Sequence, residues 1–137
     1  MNAPNLDVAL SISTQGRAVV AKVVITNKDQ KPVDLFRPLL GPDDALSMNL
    51  FEIRNAKGER LGYKGILAKR IPGPHDFLPL APGVPRVVEF RLDQHYNFPP
   101  EGGDFAAVYS AYNQSLDEDA PLCKLRSNEV AFKLQAK

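Results

Sequence analysis

The chain has 137 residues, with 17 Lys+Arg against 16 Asp+Glu, two His and a single Cys. That length is one domain's worth and too short for a two-domain enzyme. Its net charge of +1 lacks the basic surplus with which a nucleic-acid binder displaces condensed counterions, and one cysteine excludes both an internal disulfide and a thiolate zinc cluster.

Residues 1–5 carry no basic stretch leading into an apolar run, so no signal peptide is expected and the compartment stays open. The longest nearly apolar run, residues 18–25, is interrupted by Lys22 and falls far short of the roughly 20 residues that span a bilayer. Period-two alternation then dominates. Leu6, Val8, Leu10 and Ile12 alternate with Asp7, Ala9, Ser11 and Ser13, and Val19, Ala21, Val23 and Ile25 alternate with Val20, Lys22, Val24 and Thr26. Each set predicts a strand with one buried face. A polar turn at 27–32 precedes a short strand at 33–36, and Pro38, Gly41 and Pro42 break the chain again. A helical turn over 43–50 is as consistent with the pattern as none.

Residues 48–54 predict the next strand, 55–58 a Gly-bearing turn and 60–63 a short return, together a hairpin. The prolines at 72, 74, 79 and 82 predict a stiff loop over 71–79 and a tight turn at 80–83. Beyond it, Val88, Phe90 and Leu92 alternate, then Phe105, Ala107, Tyr109 and Ala111, and finally Val130, Phe132 and Leu134. Phe105 and Tyr109 are expected in the core, and Tyr96 at a corner with its hydroxyl bonded to backbone. Seven to nine short strands without a convincing helix predict an all-β fold, a single immunoglobulin-like antiparallel β-sandwich over residues 1–137.

Between residues 49 and 105 the elements follow a recognisable order. It runs through Asn49-Leu50-Phe51-Glu52-Ile53, Gly62-Tyr63-Lys64-Gly65, Lys69-Arg70 and Phe77-Leu78-Pro79-Leu80-Ala81-Pro82-Gly83. It continues through Val88-Glu89-Phe90-Arg91-Leu92, Tyr96-Asn97-Phe98 and Gly103-Asp104-Phe105. This series resembles the β-sandwich region that precedes the catalytic domain in peptidyl-Lys (deuterolysin-type) zinc metalloendopeptidases. The resemblance implies a sandwich fold and a protein-contacting, pro-domain-like or inhibitor-like role. It does not extend to proteolysis, because those enzymes use a His-Glu-x-x-His motif, and neither His75 nor His95 has a His partner four residues on.

No other chemistry is expected. Cys123 stands in no nucleophile motif and reads as structural, Asp117-Glu118-Asp119 lacks the spacing of a calcium loop, and no helix follows Gly102-Gly103 to make a phosphate cradle. Neither a cofactor nor a metal is expected. Asn113-Gln114-Ser115 fits the glycosylation triplet, a pattern frequent by chance. The segment 57–70 stands out instead, with Lys57, Arg60, Lys64, Lys69 and Arg70 against Glu59 alone. It leads into the loop carrying His75 and Phe77, and exposed loops on a rigid sandwich commonly carry binding. The expectation is a non-enzymatic protein-binding module, its partner a protein, which the resemblance implies is a protease, with Lys64, Lys69, Arg70, His75 and Phe77 as contact residues. The alternative is an assembly domain that self-associates or pairs through an exposed sheet edge.

Overall fold

The computed structural model describes residues 6–36, 39, 49–64, 77–113 and 123–137. Nine strands and one helical turn lie among them: β1 (Leu6–Gln15), β2 (Ala18–Asn27), β3 (Val33–Phe36), β4 (Phe51–Asn55), β5 (Phe77–Leu80), β6 (Pro85–Arg91), α1 (Leu92–His95), β7 (Gly103–Asn113), β8 (Cys123–Arg126) and β9 (Val130–Leu134). All pairings are antiparallel. One sheet runs β1-β2-β6; a second runs β4-β7 and on to β8 and β9, which pair with successive stretches of β7. This is the strand order of the two sheets of an immunoglobulin-like sandwich. β3 and β5 form a separate two-stranded ribbon.

The alternation in the sequence is realised on the inner faces. Val19, Ala21, Val23 and Ile25 of β2 are buried, as are Val8 and Leu10 of β1 and Phe105, Ala107 and Tyr109 of β7. The sheets meet through aromatic side chains. Phe51 on β4 sits edge-on to Phe90 on β6 at 5.6 Å between ring centroids and to Tyr109 at 5.4 Å. With Phe51 and Phe90 each 1% exposed, truncating either ring to alanine is expected to cost about 3–5 kcal/mol.

Asparagine side chains finish the ladders where backbone pairing stops. At the break between β2 and β3, the Asn27 amide donates to the carbonyls of Lys31 (2.8 Å) and Leu80 (2.9 Å), and its Oδ1 accepts the Asp29 N–H. The ladder of β2 with β6 thereby continues as that of β3 with β5. Asn113, at the end of β7, accepts the Phe36 N–H and donates to Asp34 O, mimicking a strand beside β3. Asn128 does the same on β1, accepting from Leu10 N–H and donating to Leu10 O. Asn113 is buried, so the asparagine of the glycosylation triplet is already committed to the core. Ser127 bridges the break between β8 and β9, its hydroxyl accepting the Tyr109 N–H. Among the described residues no buried side-chain polar atom lacks a partner, as native interiors require.

Four expectations need correction. The loop expected over 71–79 is strand from Phe77 onward, since β5 has β3 as its one described partner and an edge position tolerates Pro79. Leu92 does not extend β6 but opens the single turn α1. The return at 60–63 is not a strand, only two isolated bridges, Arg54 with Arg60 and Tyr63 with Tyr96. β8 has no counterpart in the expected strands. Of the helical turn considered at 43–50, residues 43–48 lie outside the described residues, and 49–50 are not helical.

Candidate interaction surface

β4 ends in a turn built on one side chain. The Asn55 Oδ1 accepts the N–H groups of Lys57 (3.0 Å) and Glu59 (2.9 Å), while Gly58, at φ 82°, lets the backbone reverse. The chain then runs back along the edge of β4, where the Leu61 N–H donates to Ile53 O at 2.8 Å. It next meets the corner after α1: Lys64 N–H donates to His95 O at 2.9 Å, and Asn97 N–H to Gly62 O at 3.0 Å.

Tyr96 anchors that corner. Its buried hydroxyl accepts the Phe51 N–H at 3.0 Å and donates to Asn49 Oδ1 at 2.7 Å, the corner bond expected from the sequence. Burial pushes its phenol well above the usual range, so the group stays a neutral donor. The Tyr63 ring packs on it at 5.4 Å, and burial raises its phenol too. α1 is tied to the other sheet through Asp93. Arg91 forks onto both carboxylate oxygens at 2.9 and 2.8 Å, and Asp93 Oδ1 also accepts the Val19 N–H at 3.0 Å. Burial alone would raise the Asp93 carboxyl; the hydrogen bonds from Arg91 and Val19, with the Arg91 charge, outweigh it and hold the group below its ordinary value. His95 Nδ1 lies 2.8 Å from Arg91 O.

On this pinned backbone the cationic side chains of Arg54, Lys57, Arg60 and Lys64 are all exposed. Arg54 holds Gly58 O at 3.1 Å, and Glu59 accepts from Asn55. Beside them opens a shallow cleft of about 360 Å³, with Lys57 and Glu59 on one wall, Glu101 and Asp104 on the other, and Leu61 and Phe105 among its lining. Gly102 is among its lining and fits no other residue. It takes φ 71°, and a Cβ there would run into the backbone of Leu134 and Gln135.

Of the contact residues read from the sequence, the structure places Lys64 on this exposed face. Lys69, Arg70 and His75 lie outside the described residues. Phe77 is not a surface anchor: it is 6% exposed, and its ring packs against Phe36 at 5.5 Å. Sequence reasoning missed Arg54, which joins the basic face because β4 turns on Asn55; the Asn-x-x-Gly spacing was the available signal. Cys123 opens β8, and its side chain lies outside the described residues. Among the described residues, no group of three or more His, Cys, Asp or Glu is placed to hold a metal ion, and no helix is long and apolar enough to cross a membrane. Compared with known proteins, the chain matches no family model and finds no match among curated proteins.

Proposed function

We propose that this chain is a non-catalytic protein-binding module that engages a protease, as a pro-domain or inhibitor does, through the basic face around Arg60 and Lys64. One observation carries the reading: exposed cations stand on a backbone held at Leu61, Gly62 and Lys64 by hydrogen bonds to the sandwich. A contact segment fixed in this way loses little entropy on docking, and Arg and Tyr, here the exposed Arg60 and the half-buried Tyr63, are favoured interface anchors. The sequence resemblance to the region preceding deuterolysin-type catalytic domains supports a protease as partner. In this reading Lys69, Arg70 and His75, the contact residues expected from the sequence, take part in binding as well.

The test uses the purified chain on proteases recovered with it from the source cell's lysate and culture fluid. Added chain is expected to slow peptide cleavage by a recovered protease. The double variant Arg60→Glu/Lys64→Glu, with unchanged Tm, is expected to lose at least about tenfold in apparent affinity. Cleavage by every recovered protease unaffected by added chain would contradict the proposal.

A further inference from the structure

β2 is apolar on both faces. Its inward residues Val19, Ala21, Val23 and Ile25 are buried, yet its outward row carries Val20 and Val24 on either side of Lys22. An antiparallel strand with one wet face alternates apolar with polar; this one reads like a strand covered on both sides. The register extends the outward apolar row across the sheet, with Ala9 opposite Val24 and Val24 opposite Val87. Val84 lies just before β6. Val84 and Val87 are each 49% exposed, two of the three large hydrophobic side chains left in solvent among the described residues. The next row is Ser11, Lys22 and Glu89.

We propose that this outward face of the β1-β2-β6 sheet docks a second copy of the chain, face to face, about a twofold axis running along the strands between β2 and β6. The Lys22–Glu89 row favours a second copy and this axis, which sets Val20 against Arg91, whose guanidinium is already held by Asp93. A half-turn about that line keeps each row at its own level and exchanges the two strands. Lys22 of each copy then faces Glu89 of the other, and Val24 faces Val87. An axis over β2 would set Lys22 against Lys22, and one over β6 would set Glu89 against Glu89. The patch is thus self-complementary in charge as well as apolar, which is what an isologous interface requires. Its apolar part is confined to a few valines, so a weak dimer is expected, with Kd on the order of 100 µM.

The surface is separate from the basic face on β4, and its test is independent of any protease. Sedimentation velocity of the full chain, from about 10 µM to about 1 mM at low ionic strength, is expected to show dimer growing with concentration. Lys22→Glu alone and Glu89→Lys alone each place two like-charge contacts in the dimer and are expected to weaken it about tenfold or more. Mixed in equal amounts, the two variants are expected to associate as well as the unaltered chain: opposite charges then meet between copies, although neither copy regains its own cross-strand pair. Val87→Ser, on the solvent side of the sheet, is expected to weaken the dimer at unchanged Tm. The proposal is overturned if the unaltered chain stays monomeric throughout, if Lys22→Glu dimerises as the unaltered chain does, or if the mixture stays monomeric.

Discussion

The two sheets are finished differently. On the outward side of the β4-β7 sheet nearly every charge has an opposite or aromatic neighbour. Arg126 lies 3.9 Å from Glu52, Lys133 4.0 Å from Asp104, and Lys124 sits 5.9 Å over the Tyr112 ring. The outward Val108 is itself buried, and the edge of β4 is closed by Leu61 and the Tyr96 hydroxyl. On the β1-β2-β6 sheet the outward face sets Val20, Val24 and Val87 around the Lys22–Glu89 row, with Val84 and Val87 each 49% exposed. One sheet is completed against water, with its edge sealed and a basic segment laid over the seal. The other retains an apolar face whose charges match a copy of itself. The same sandwich therefore offers two surfaces of different chemistry, and substitutions can separate them.

After truncation of Phe51 or Phe90 in the core, the largest effect is expected at the end of β2. Asn27→Ala removes two donated bonds and one accepted bond at a fully buried site, and is expected to cost about 2–4 kcal/mol by urea unfolding. Breaking the seal is milder. Tyr96→Phe leaves the buried Phe51 N–H without its acceptor and is expected to cost about 1–2 kcal/mol, with faster amide exchange at Phe51 than at neighbouring β4 positions. The brace that ties α1 to the β1-β2-β6 sheet is tested by pH. Asp93 titrates below its ordinary value in the folded chain, so it contributes stability above the unfolded carboxylate pKa of about 3.9. That contribution is lost as pH falls through the lower native value. Asp93→Asn is expected to flatten this part of the acid-unfolding curve. The smallest effect belongs to the finished face: Lys133→Ala removes a largely exposed pair and is expected to shift stability by under about 0.5 kcal/mol.

The fold was legible in the sequence where alternation was strict. The inward sets on β1, β2, β7 and β9, the Tyr96 corner and the core placement of Phe105 and Tyr109 all follow from period two and aromatic chemistry. What escaped was set by tertiary partners. Phe77 belongs to the core because β3 offers it an edge, something no local pattern announces beside Pro79. β8 is only four residues long, and Ser127 and Asn128 separate it from β9 with side-chain bonds to distant strands. The basic segment was visible as charge, but its rigidity comes from carbonyls and amides more than thirty residues away, at His95 and Asn97. The apolar outward row of β2 was visible residue by residue. Its meaning needed the register that sets Val24 beside Val87 and Lys22 beside Glu89.

The most direct test of two separate surfaces compares Arg60→Glu/Lys64→Glu with Lys22→Glu in both assays, protease inhibition and sedimentation. The first variant is predicted to lose inhibition and still dimerise, and the second to inhibit as the unaltered chain does while failing to dimerise. Joint loss of both properties in either variant, at unchanged Tm, would contradict the division of the molecule into two surfaces.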